Sequence, residues 1–210
     1  MHDAAAAAAR WVRGRDVAVT YGAVVAVAAV LLQVAPDAVA QEVVLRSSTN
    51  LVNLRQHLPF ALVVSAFLVP TPAQVLLVVP LVWALGAVQR RLGRGAVVLT
   101  AALGHVGATL VVSTMLLAGI THGRVALSVA TAPDVGVSYV LVAALGLLTV
   151  WAPQGRRRPL VLAGSAVLGT VLAVDRAFTD LGHLAAWLLG LALASFVGRA
   201  ARAARETPAA

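Results

Sequence analysis

Residues 178–198 read FTDLGHLAAWLLGLALASFVG, an apolar run whose first turns carry Asp180 and, three residues on, His183. A helix needs about 20 apolar residues to cross the hydrocarbon core, so this run is long enough to span a bilayer. Ionisable groups at membrane depth are costly and are functional candidates by default. The remaining sequence supplies the bilayer: of 210 residues 60% are hydrophobic and 11% charged, with a mean hydropathy of +0.92. A soluble domain holds about 25% charged residues, so the chain reads as a membrane protein.

Windows of spanning length bounded by charge, Pro or Gly predict six spans, near 17–35, 73–92, 95–119, 134–152, 159–174 and 177–198, the fifth being the shortest. Apolar residues run all round them without a polar stripe, as expected of helices in lipid or inside a bundle. The expected fold is therefore an all-α, six-helix membrane bundle: a tail at 1–16, the membrane domain at 17–198 and a tail at 199–210. Between spans 1 and 2 lies a long segment, Pro36 to Pro72, holding LPFALVVSAFLV at 58–69. Twelve residues are too few to cross, so this part is expected at the interface or dipping partway in, packed on the helices.

All sixteen basic residues are arginine, and the net charge is +8. With heavy use of Ala, Val and Gly this resembles a GC-rich, bacterial composition. The arginines cluster between apolar runs, as in cytoplasmic membrane loops, which argues against a nucleic-acid partner. Arg10, Arg13, Arg15, Arg90, Arg91, Arg94, Arg156, Arg157, Arg158, Arg199, Arg202 and Arg205 fall on one side; only Arg46, Arg55, Arg124 and Arg176 fall on the other. Basic residues stay inside, so both termini are expected in the cytoplasm of a multi-pass protein of the bacterial cell membrane. The N-terminal arginines, apolar run and Ala38-Val39-Ala40 resemble a cleavable signal, but Val17 to Ala35 is longer than a signal core of about 7 to 15 residues and reads as an uncleaved span. The Ala4–Ala9 run reads as a cytoplasmic lead-in. There is no cysteine, hence no disulfide or thiol chemistry.

The ionisable or hydroxyl groups of interest at depth are His105 in span 3, Asp134 and Ser138 opening span 4, and Asp180 and His183 opening span 6. Spans 4 and 6 run in the same direction, so their first turns share a depth. Ser138, fifth in its span, and His183, seventh, both fall roughly 6 to 10 Å below the outer boundary at 1.5 Å per residue. A hydroxyl and an imidazole at one depth are the elements of a Ser/His dyad, the imidazole serving as general base. His183, Ala186 and Gly190 share a face, letting a neighbouring backbone approach, and Gly136 leaves space beside Ser138.

Plainer readings exist for each. A membrane serine commonly bonds its own helix carbonyl. His183 can bond Asp180 or a carbonyl, and Asp180 and Asp134 can be helix-start acids favoured by the dipole. His105 can be a packing histidine satisfied by Thr109 or a facing helix, with Gly104 and Ala108 beside it marking tight packing. A metal set of His105, His183, Asp134 and Asp180 lacks any local ligand motif, and inverted repeats of a transporter are not evident.

Gly136-Val137-Ser138, followed by His183 with Ala186 and Gly190, resembles the rhomboid family of intramembrane serine proteases, whose fourth helix carries Gly-x-Ser-Gly or Gly-x-Ser-Ala and whose sixth carries His-x-x-Gly-x-x-x-Gly. The long first loop, and GAVQRRLG at 86–93 beside the family's Gly-Pro-x-x-Glu-Arg-x-x-Gly, extend the likeness over about 17–198. HVGAT, DVGVSY and FTDLGHL are similar to stretches of divergent rhomboid-like proteins of high-GC Gram-positive bacteria. The resemblance implies Ser138 as nucleophile, His183 as base, no cofactor, and transmembrane helices of other proteins as substrates. A catalytically inactive rhomboid-fold pseudoprotease that binds such helices without cutting them is the alternative.

The chain also departs from the family pattern. Helix 2 usually carries His-x-x-x-Asn, which helps hold the oxyanion; alignment puts Ala73 and Leu77 there. The first loop lacks the Trp-Arg pair, Tyr139 follows the serine in place of a small residue, and Ala186 replaces glycine. Replacement donors for the oxyanion would be His105, the Tyr139 phenol, or the backbone N–H of Ser138 if the helix start is irregular. Losing one such donor can cost about 10² to 10³ in turnover.

Overall fold

The computed structural model describes residues 11–206, with side chains to residue 201, so the Ala4–Ala9 run lies outside the described residues. Among them there are helices and turns and no strand. Helix α1 (Asp16–Val34) is followed by a loop hairpin of α2 (Asp37–Ser47) and α3 (Leu51–Ser65). A short α4 (Pro72–Val75) leads into α5 (Val78–Leu92). Next come α6 (Arg94–Ala102), a π-helical turn at Leu103–Gly107, and α7 (Ala108–Thr121), which together make one long rod. Helix α8 (Val137–Leu148), extended by a 3₁₀ turn to Trp151, then α9 (Gln154–Asp175) and α10 (Phe178–Glu206) complete the bundle.

Five helices are long and apolar enough to cross a membrane: Asp16–Val34, Pro72–Leu92, Arg94–Thr121, Gln154–Asp175 and Phe178–Ala201. The sixth apolar helix, Val137–Trp151, is shorter, roughly 22 Å against a hydrocarbon core of about 30 Å. Expectation and structure differ here: span 4 was to open at Asp134, but the chain stays non-helical through Val135 and Gly136 is the cap. The physical reason is that backbone groups before the helix are engaged elsewhere. The Asp134 carbonyl accepts the Thr49 N–H at 2.9 Å, and the Gly136 N–H donates to the Ser65 carbonyl at 3.0 Å. At the other end of the bundle α10 runs on past 198, through Glu206.

Helix α8 is the centre of the bundle, with Val137, Tyr139, Val140, Ala143, Ala144 and Leu147 all buried. Lipid is as apolar as leucine, so burial here gains dispersion and close approach more than hydrophobic transfer. Small residues provide that approach: a Cβ on Gly190 would overlap the Ala143 carbonyl oxygen, and one on Gly146 would stand 2.8 Å from the Trp187 carbonyl. Helix α10 therefore lies against α8 backbone to backbone. Helix α9 has no buried residue and stands at the bundle's edge.

The arginine-rich end is tied by polar groups. Buried Gln89, in the stretch GAVQRRLG, donates to Asp16 Oδ1 at 2.6 Å and accepts the Ala18 N–H at 3.0 Å, closing the start of α1 against the end of α5. Gly93, at φ 86°, turns the chain between α5 and α6 in a conformation a side chain would strain.

The hairpin α2–α3 caps the opposite end. Asn50 accepts the Asn53 N–H at 2.9 Å and so caps α3; the backbone is non-helical at His57, two residues before Pro59, whose ring cannot follow a regular turn. After this kink α3 descends beside the π-helical turn: Leu62 and Ser65 touch His105. The expected membrane-embedded part of the first loop is this second half of α3.

Candidate functional site

Ser138 is the second residue of α8 and His183 the sixth of α10. The two helices start at the same end of the bundle, and His183 Nε2 lies 3.0 Å from Ser138 Oγ. Both residues are half-buried. The hydroxyl does not bond back to its own helix, the ordinary fate of such serines.

The imidazole is held on two sides. Asp180 Oδ1 stands 3.9 Å from Nδ1, too far for a direct hydrogen bond but close enough for its charge to favour the proton on Nδ1. That tautomer leaves the Nε2 lone pair free to accept the serine proton. The Tyr139 ring meets His183 edge-on, centroids 5.2 Å apart at 72°. Its phenol donates to Asp134 Oδ1 at 2.8 Å, so it is committed elsewhere and does not supply the oxyanion donor considered from sequence. Gly182 makes the bulky residue tolerable, since a Cβ there would overlap the phenol.

Asp134 is not the helix-start acid expected from sequence, since Gly136 is the cap and the helix begins at Val137. It is buried, takes the Tyr139 hydroxyl on one carboxyl oxygen and faces the Thr49 hydroxyl at 3.4 Å with the other. Burial pushes its carboxyl up to about 6, against the pull of the hydrogen bonds from Tyr139 and Thr49.

His105 reaches the site from the π-helical turn, where the wider turn swings it out of the regular ladder. Its Nε2 lies 2.9 Å from the Leu62 carbonyl and 3.1 Å from Ser65 Oγ, so of the two expected partners it is the facing helix, α3, and not Thr109, that engages it. A carbonyl can only accept, so Nε2 carries the proton and the neutral ring's Nδ1 is a bare acceptor. Nδ1 is buried and unpartnered beneath Gly136, whose missing Cβ makes the room. An acceptor does not stabilise an oxyanion. In this tautomer His105 positions the start of α8.

Donors of another kind are present. The first helical backbone bond is Val140 N–H to Gly136 O at 3.0 Å, so the N–H groups of Val137, Ser138 and Tyr139 are uncommitted. They carry the positive end of the helix dipole beside Ser138 Oγ. Ala73 and Leu77 offer nothing comparable: Ala73 is exposed on α4 and Leu77 packs against the apolar core.

Sequence reading missed Thr49, Leu62 and Ser65, which hold Asp134, His105 and Gly136. One signal was available: the polar run Ser47-Ser48-Thr49-Asn50 in a long loop is entirely buried, and a buried polar run must find partners. Among the described residues no three His, Cys, Asp or Glu side chains gather as a metal site.

Comparison with curated proteins gave no match, nor did comparison with solved structures. A family model does match, described as rhomboid-like protein and covering residues 10–203. The chain, an integral membrane protein by its spans, thus belongs to the rhomboid-like family, and the stretches GVS at 136–138 and GH at 182–183 belong to the matched region.

Proposed function

We propose that this protein is an intramembrane serine protease, with Ser138 as nucleophile and His183 as general base, that cleaves a transmembrane helix of another membrane protein near its outer end. The observation that carries this reading is the 3.0 Å contact between Ser138 Oγ and His183 Nε2. In the reaction the Ser138 hydroxyl gives its proton to Nε2 as Oγ attacks the scissile carbonyl. The N–H groups at the start of α8 face the developing oxyanion, a role that side chains at positions 73 and 77 do not fill. The imidazolium, with Asp180 at its other nitrogen, then protonates the leaving amine, and water entering from the outer side releases the acyl group.

The orientation assigned is cytoplasmic termini and an outward-facing site, supported by the clustering of arginines at the opposite end. The composition supports a bacterial cell membrane, and the likeness of HVGAT, DVGVSY and FTDLGHL to divergent rhomboid-like proteins supports a high-GC Gram-positive lineage. One observation favours a second reading, a pseudoprotease that binds transmembrane helices without cutting: the absent donors at Ala73 and Leu77. A serine-directed fluorophosphonate separates the two. The protease reading expects labelling of the folded wild type and none of Ser138→Ala; equal labelling of both, or none of the folded wild type, overturns it in favour of the pseudoprotease.

A further inference from the structure

A cleft of about 670 Å³ lies away from the dyad, between α5 and the edge helix α9, with α8 and α10 behind it. Its walls include Trp83, Leu145, Trp151, Gly164, Val167 and Trp187. On its floor Trp187 packs against Gly164, where a Cβ would stand 2.5 Å from the indole, and its Nε1 donates to Ser165 Oγ at 3.1 Å. The volume is that of a small-molecule site, typically about 300 to 1,000 Å³. In a bilayer such a gap is not left empty, because its lining would forfeit dispersion contacts on one side.

One end of the cleft is polar. Arg91 lines it, its guanidinium 5.2 Å from the Trp151 ring, donating only to its own Ala87 carbonyl. Arg91 has no carboxylate partner among the described residues, and no carboxylate lines the cleft. Beyond Trp151 a smaller adjoining cavity includes Arg157. An apolar slot that opens beside a free, planar cation matches a molecule with a long hydrocarbon tail and an anionic oxygen-rich head.

We propose that the cleft between α5 and α9 is a binding site for an anionic phospholipid, one acyl chain lying along Trp83, Val167 and Trp187 and the phosphate on Arg91. The site is separate from the dyad and stands whether or not the protein cuts. Bound lipid would give α9 a packing partner on its α5 side, beside the contact with α10 that the protein supplies.

Three of the four tryptophans line the cleft, which makes it readable by fluorescence. Detergent-solubilised full chain is titrated with phosphatidylglycerol carrying brominated acyl chains, and separately with the phosphatidylcholine of the same chains. Phosphatidylglycerol is expected to quench at a mole fraction about fivefold lower, the factor for one basic residue at an anionic head. Arg91→Gln should erase that difference, Arg91→Lys should retain most of it, and Ala163→Phe, which fills the slot, should weaken quenching by both lipids. Equal quenching by the two lipids in the wild type, or a preference unchanged in Arg91→Gln, overturns the proposal. So does absence of quenching in a chain that runs as a dimer and is returned to monomer by Ala163→Phe, which would assign the cleft to a second copy.

Discussion

A 3.0 Å contact between Ser138 and His183 ties two residues 45 positions apart, and its worth can be read by removing either side. His183→Ala is expected to lower fluorophosphonate labelling of the folded protein by about 10² to 10⁴-fold, the range for a lost general base. Labelling unaltered by the substitution would separate the serine's reactivity from the histidine. Gly136→Ala tests the neighbouring contact, because the new Cβ would overlap His105 Nδ1. It should lower thermal stability by about 1 to 3 kcal/mol, as overpacking does. His105→Ala in the same chain should recover part of the loss, and simple additivity would show that the two do not share the space. At this scale the sequence displayed a shared depth for Ser138 and His183, because spans 4 and 6 run in one direction and both residues stand near a helix start, although Ser138 is second in its helix and not fifth. It could not display the partners of His105: Leu62 and Ser65 come within reach only after the first loop folds down beside the π-helical turn, a long-range event that no local spacing encodes.

Helix α8 is defined by what surrounds it. Its contact with α10 depends on Gly190, where any Cβ meets the Ala143 carbonyl. Gly190→Val is therefore expected to separate the two helices and lower resistance to denaturing detergent, while Gly169→Val on α9, where a Cβ meets nothing, should be nearly silent. The first loop and α8 are joined through Asp134. Its folded-state carboxyl sits at about 6, above the ordinary 3.8, so folding favours the protonated form. The stabilisation is fully present below about 4 and is lost as pH rises through about 6. Measured in detergent, the wild-type melting temperature should fall between pH 4 and 7 relative to Asp134→Asn; parallel profiles would remove Asp134 from the balance. Element boundaries were legible where apolar length set them, as in the first three spans; α9 starts at Gln154, five residues before the expected 159, and α10 runs on to Glu206, because polar and arginine-bearing turns continue both helices beyond their apolar stretches. They were illegible at residues 134–136, where Thr49 and Ser65 take the backbone groups that a helix would need.

The all-helical membrane architecture, with five helices of spanning length and a shorter sixth among the described residues, followed from hydropathy, since a bilayer permits few alternatives. Its proposed orientation rests on charge and can be measured directly. The chain has no cysteine, so single cysteines are unambiguous reporters. In intact cells a membrane-impermeant maleimide should label Ser128→Cys and should reach Gly155→Cys only after lysis; the reverse pattern would invert the assignment. The π-helical turn at Leu103–Gly107 also acts at this scale. A π turn holds one residue more than an α turn, and one residue is about 100° of rotation. The turn is thus a phase shifter within a continuous rod: it lets His105 face Leu62 and Ser65 while Ala108 and Val112 still point into the bundle. Deleting a single residue from LGHVG would leave hydropathy and length almost untouched. It would turn either the upper or the lower half of the rod out of register with everything packed against it.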